Sequence, residues 1–300
     1  MTAIKNRYDF LYLFDVKNGN PNGDPDNDNA PRTNSQGFGL TTDVMIKRKL
    51  RNYVALTKEG EAGYEIFVKE AAVLNQAIAA AHEAVGSTST KVKKEAGADK
   101  LAQAYLCKTF YDIRAFGAVL TTGDKGAGAV RGPMQFTFSE SIDPIQTGEH
   151  CLTRCAVTDD KDLKDLNDSN KKRTIGRKTT VEYGLYKGHG FVNANLATKS
   201  GFSQEDLTLT FQGLVNMFEH DRSAARGLMS TRRVIVFEHS NELGDASAVS
   251  LFERVKVTLK AGVTEPTCFD DYEISINTEG LPSGIRVLEV SISGELIENR

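Results

Sequence analysis

The chain has 300 residues, 40% of them hydrophobic and 26% charged, which is enough for one large domain with insertions, or two smaller ones, around a substantial core. A net charge of −3 and a pI near 6.0 exclude a protein that is basic overall, so any nucleic-acid binding must come from local clusters of Lys and Arg. There is no run of about 18 apolar residues and no signal-peptide core, and Cys107, Cys151, Cys155 and Cys268 lack paired spacing; together these predict a reduced, cytoplasmic protein without membrane contact.

Residues 7–16, RYDFLYLFDV, read as a strand that is apolar on both faces and therefore buried. The strand stops at NGNPNGDP, a run of turn formers over 18–25. Residues 41–56 predict a helix capped by Thr41 or Thr42, with Asp43 in its first turn. Ile46, Leu50, Tyr53 and Val54 share its apolar face, and Lys47, Arg48 and Arg51 form a stripe elsewhere. No acid stands three or four residues after any of the three, so the stripe reads either as a solvated face or as a phosphate-binding one. Two alanine-rich helices are expected near 64–85 and 98–108, split at 86–90.

A glycine-rich stretch follows at 123–132, then strands near 133–139 and 151–157. Residues 158–178 switch from Asp159, Asp160, Asp162, Asp165 and Asp168 to Lys171, Lys172, Arg173, Arg177 and Lys178, which reads as an exposed loop or hairpin arm. Beyond it come a strand at 179–186, a helix at 203–220 with Ser203 as its N-cap, a basic stretch at 222–233 leading into a strand at 234–238, and strands near 253–259, 272–277 and 285–293. Helices and strands interleave without regular βαβ spacing, so the fold class is α+β.

Three small motifs could carry other chemistry. Asp24, Asp26 and Asp28 alternate as at the start of an EF-hand loop, but Asn29 stands where that loop needs Gly and Ser35 where it needs Glu. His150, Cys151 and Cys155 lack a second ligand pair for zinc. Gly123-Asp124-Lys125-Gly126-Ala127-Gly128 fits neither common nucleotide-binding template. No catalytic residue, metal or cofactor is assigned.

Taken together, NGNPNGDP at 18–25, Pro31-Arg32, Thr42-Asp43-Val44, Lys47-Arg48-Lys49-Leu50-Arg51, DIRAFGAV at 112–119, GPMQF at 132–136, SIDPI at 141–145, Gly176-Arg177-Lys178, Tyr183-Gly184-Leu185-Tyr186 and MFEHDRSAARG at 217–227 closely resemble the backbone subunit of type I-C CRISPR Cascade complexes. The resemblance implies a modified RRM-like (ferredoxin-like) palm built from 1–52, 109–140 and 183–300, a helical finger insertion at 53–108 and a β-hairpin thumb at 141–182. It implies a non-catalytic protein that lines up head to tail with other copies of itself along CRISPR guide RNA, beside other Cascade subunits, and presents the guide to target DNA. The RNA-binding residues expected are Asn20, Asn22, Arg32, Thr42, Lys47, Arg48, Arg51, Arg114, Arg131, Lys171, Lys172, Arg173, Ile175, Arg177 and Lys178. A metal-dependent endoribonuclease using the Asp-rich loop at 24–28 and a protein-only adaptor are the two alternatives.

Overall fold

The computed structural model describes residues 2–86, 97–122, 126–153, 156 and 175–298. Its centre is strand β1 (Tyr8–Gly19), which pairs antiparallel with β10 (Ile175–Val192) on one side and β11 (Leu228–His239) on the other. The sheet continues through β14 (Ile285–Val290) to β15 (Leu296–Glu298) beyond β11. Beyond β10 it continues through β8 (Ser139–Pro144) to β4 (Phe38–Thr41). Strands β7 (Met134–Phe136) and β9 (Thr147–Thr153) pair with the two ends of β10, giving nine strands among the described residues. The class is α+β, as the interleaved pattern predicts.

Both faces of β1 are covered, as its two-sided apolar pattern requires. Tyr8, Phe10, Tyr12, Phe14 and Val16 belong to one core, under helices α1 (Asp43–Thr57) and α6 (Gln204–Asn216). Leu11 and Leu13 belong to a second core, under α7 (Ala248–Phe252) and the hairpin β12–β13 (Val255–Leu259, Tyr272–Ile276). The alternation of strand side chains thus divides one strand between two layers. Aromatic rings fill the first layer: Phe10 meets Phe211 and Phe136 edge-on, and Phe14 stacks on Tyr186.

A third, smaller core is helical. Helices α2 (Leu74–Ala84) and α3 (Ala98–Thr109) pack through Ile78, Ala81, Ala102 and Leu106. The core also takes in Phe67 before them and Ile113, Leu120 and Ala127 after them. Residues 64–73, expected to be helical, form turns, and the helix begins at Leu74. Gly63, just before the stretch, has a positive φ of 89°, Ala71 within it a positive φ of 58°, and α2 has no side-chain cap, so helix does not propagate back through it.

The short helix α4 (Tyr111–Phe116) ties the helical unit to the main body, and buried charges do the tying. Arg114 is a buried strut and is not exposed to a ligand. Its Nε and Nη2 donate to both carboxylate oxygens of Asp206 at 2.9 and 2.7 Å, and its Nη1 donates to the Gly63 carbonyl. Asp206 also completes the capping box of α6, accepting from the Ser203 amide while Ser203 Oγ accepts from the amide of Asp206. Asp112 is likewise buried and accepts from Arg51 Nε at 2.7 Å and from the Phe67 and Val68 amides at 2.8 and 3.0 Å. Two Arg–Asp pairs therefore reinforce the apolar packing of Tyr111, Ala115 and Phe116 where the helical unit joins the sheet.

Helix α5 (Ala194–Ser200) turns the chain from β10 towards α6 and is capped by Asn193, whose Oδ1 accepts from the Leu196 amide.

Removing one member of the buried pair should be costly. Asp206→Ala is expected to lower unfolding free energy by about 3–5 kcal/mol, and an Arg114→Met, Asp206→Leu double variant to lose less, measured by urea denaturation. A pH effect should arise at His189, which packs 4.5 Å from the Phe252 ring; burial, reinforced by Lys187, pulls its imidazole down to about 4. The unfolded chain, with a pKa near ~6.5, takes up that proton first. Stability should therefore fall as pH drops from about 6.5 to 4, and His189→Gln should flatten that fall in thermal melts.

Candidate nucleic-acid interface

At the end of β1 the chain leaves the sheet through an Asn- and Gly-rich loop that opens onto the N-terminus of α1. Thr42 caps that helix: its Oγ1 accepts from the Met45 amide. The Thr42 amide and hydroxyl both donate to Asn22 Oδ1, at 2.9 and 3.0 Å, so Asn22 fastens the loop to the helix cap. Strands β2 (Gly23–Asp24) and β3 (Ala30–Pro31) close the loop into a small hairpin. Its tip turns through Asp28 and Asn29, both with left-handed φ, and Asn20 Nδ2 donates to the Asn29 carbonyl at 2.6 Å.

A second loop, 217–227, comes in from the far end of the sequence and lies against the first. The approach is backbone on backbone. A Cβ on Gly19 would overlap the Arg226 carbonyl, and Gly227, at a φ of +61°, leaves no room for one beside the Lys17 and Asn18 carbonyls. The Asn20 amide donates to the Ala225 carbonyl at 2.8 Å. Arg226 Nη1 donates to the Asn20 and Pro21 carbonyls at 3.2 and 3.3 Å, and its Nε lies 3.3 Å from Asp221. Asp221 also pairs with Lys49, which is 3% exposed; burial pulls the Lys49 ammonium below its ordinary pKa despite that pairing.

Between these loops and α1 lies a cavity of about 410 Å³, lined among others by Asn20, Asn22, Thr42, Arg48, Ser223 and Arg226. Arg48 is exposed at its rim and makes no ion pair with another described residue. Two arginines, Arg48 and Arg226, line the cavity, no described carboxylate does, and Arg226 pairs with Asp221 behind it. An excess of positive charge at a helix N-terminus suits a phosphate. The stem of the β9–β10 hairpin reaches the same place, because Lys178 Nζ donates to the Ala224 carbonyl.

The structure therefore gathers Asn20, Asn22, Thr42 and Arg48 around one cavity, ties Lys178 to the adjoining loop at Ala224, and disperses the other expected residues. The basic stripe on α1 does not stay free. Lys47 pairs at 2.9 Å with Asp43, an acid four residues before it, and Arg51 is held by Asp112 and lies over the Phe116 ring at 5.3 Å. Arg32 pairs with Asp24 at 3.2 Å. Arg114 is the strut described above. Arg131 is exposed on β6 (Ala129–Arg131), paired with β5 (Gly117–Val119) near the helical unit. Arg177 is exposed on the hairpin, 3.4 Å from Glu149. Lys171, Lys172 and Arg173 lie outside the described residues; Ile175 opens β10, and its side chain is outside them too.

Ser223 and Arg226 are cavity residues that the expected set omits. The signal available in the sequence is the basic stretch at 222–233, which reads there as a lead into a strand and, in part, as one of the motifs of the resemblance. The Asp-rich loop has a structural role, with Asp24 pairing with Arg32 and accepting from the Asp26 amide.

The family profile described as CRISPR-associated protein Cas7 matches residues 6–277. The chain belongs to the Cas7 family. A Cas7 relative from Haloferax volcanii, described as CRISPR-associated protein Cas7, is 29% identical over 249 residues, which cover 72% of this chain and 66% of the relative. The chain thus spans just under two thirds of that Cas7 protein's length. Chains of two solved assemblies are also similar. One, described as a CRISPR RNA-guided surveillance complex, pre-nicking, has a TM-score of 0.48 at 12% identity, covering 82% of each chain. The other, described as a CRISPR RNA-guided surveillance complex, has a TM-score of 0.46 at 14% identity, covering 86% of this chain and 78% of that one.

The ion network predicts coupled variants. Asp221→Ala should destabilise the protein by about 2 kcal/mol, because it strands a buried ammonium, and adding Lys49→Met should recover part of that loss in chemical unfolding.

Proposed function

We propose that this chain is a non-catalytic backbone subunit of a type I-C Cascade complex, which binds CRISPR guide RNA through the cavity at the N-terminus of α1. Membership of the Cas7 family supports the CRISPR setting. The subtype rests on the run of motifs from 18–25 to 217–227 described above. The observation that carries the RNA-binding reading is the cavity's surplus of positive charge, with Arg48 unpaired among the described residues and Arg226 held in place by the loop it braces. Such a site holds phosphate without reading bases, which suits a subunit that must accept any guide sequence.

In this reading the main sheet around β1, apart from the β9–β10 hairpin, and its two layers form the palm, assigned to 1–52, 109–140 and 183–300. The α2–α3 unit forms the fingers, assigned to 53–108, and the β9–β10 hairpin forms the thumb, assigned to 141–182. Lys178 of that hairpin would close over the RNA. Several copies would stand head to tail on one guide, alongside other Cascade subunits, with target DNA paired to the guide between them. The engagement of Asp24 with Arg32 favours a structural loop over a nuclease centre. No helix of the described residues is long and apolar enough to cross a membrane.

Arg48→Ala should weaken binding of a short RNA and lower the slope of log affinity against log salt by about one, the signature of one lost phosphate contact. Lys47→Ala and Arg51→Ala, both at paired residues, should change that slope much less. Fluorescence anisotropy over a potassium chloride series measures both effects, and an unchanged slope in Arg48→Ala would count against the cavity as the RNA site.

A further inference from the structure

We infer that Asn20 reads the ribose 2′-hydroxyl of the bound strand, so that the cavity itself prefers RNA to DNA. The inference rests on the RNA-binding reading above and adds what the site discriminates. Asn20 is 6% exposed and lines the cavity, and its Oδ1 is shielded from solvent without a hydrogen-bond partner among the described residues. Its amide cannot be turned round to mend this. Nδ2 donates to the Asn29 carbonyl at 2.6 Å, and a flip would bring two oxygens to that distance. The main chain of Asn20 is fixed as well, through its amide to Ala225 and its carbonyl to Arg226. A buried acceptor left unpaired is uncommon in folded proteins and costs stability, so a ligand that supplies a donor there gains affinity.

The chemistry of nucleic acids narrows the donor. A phosphodiester only accepts, and its place is beside Arg48 and Arg226. Base amino and imino groups donate, but they differ between bases and cannot serve a subunit that holds every sequence. The 2′-hydroxyl is the donor that recurs at each RNA nucleotide, next to the 3′-phosphate, and it is missing from DNA. Because Oδ1 is shielded, the strand must displace part of the cavity wall to reach it, and the 223–225 stretch borders the Asn20 main chain there. That stretch is exposed, and the contacts that hold it to the first loop are polar ones.

The test uses the full chain with short ribo, deoxy and 2′-fluoro oligonucleotides of one sequence, each seating a single copy, with affinity read by anisotropy. The 2′-fluoro strand keeps an RNA-like sugar pucker but has no donor, so it separates shape from the hydrogen bond. We expect the wild-type chain to bind the ribo strand about fivefold more tightly than the 2′-fluoro strand, the effect of one ordinary hydrogen bond. Asn20→Leu should bind both strands with the weaker affinity. Equal affinity of the wild-type chain for ribo and 2′-fluoro strands would overturn the inference, and that comparison needs no variant, so a folding defect in Asn20→Leu cannot mask it. A ribo preference that survives in a folded Asn20→Leu chain would overturn it too. RNA binding that ignores Arg48→Ala would instead remove the cavity reading on which the inference stands.

Discussion

The structure depends on one strand being buried on both sides. β1 cannot be moved, tilted or slipped by a residue without exchanging an aromatic layer for an aliphatic one. β10 is therefore held in one register from Tyr8 to Lys17, and β11 pairs over the same span with a single irregularity between Leu13 and Phe14. This rigidity matters at the far end of the strand. Lys17, Asn18 and Gly19, the last residues of β1, lie against the 217–227 loop, so the cavity is assembled directly on the central strand of the fold. A site placed this way needs little help from its own loops to stay in shape.

Charge is used in two ways, and the difference lies in what surrounds it. Arg114, Arg51 and Lys49 are turned inward and neutralised by Asp206, Asp112 and Asp221, each with a partner it cannot lose cheaply. Arg48, the residue just before Lys49, is exposed and makes no ion pair with a described acid. An acidic protein can present a cationic surface in this manner, because most of its carboxylates lie elsewhere and do not screen a groove on one side.

Much of the fold was legible in the sequence. The two-sided apolar run of β1, the cap of α6 at Ser203 and the apolar face of α1 each follow from local spacing, and each is present. The basic stripe on α1 was legible only as a stripe. Its fate was decided by Asp43, one turn before Lys47, and by Asp112, 61 residues away from Arg51. Arg226 was harder still, since it braces carbonyls 206 and 205 positions earlier in the chain. Local pattern carries side-chain periodicity, but it does not carry the long-range pairing that turns one arginine into a strut and leaves its neighbour free. The α2 boundary shows the same limit at shorter range, where alanine content favoured helix and the backbone at Gly63 and Ala71 did not.

The length of β10 has a mechanical consequence. It is a single strand from Ile175 to Val192; its later part lies beside β1 from Val181 onward, while its first part is paired with β9. Six residues, about 20 Å at strand spacing, thus run ahead of the sheet as a beam clamped at one end. The clamp is the ladder to β1, and Lys178 adds a strut from the beam to Ala224. A load applied near the free end would be felt first at the 223–226 rim, so displacement of the hairpin and the width of the cavity are not independent quantities.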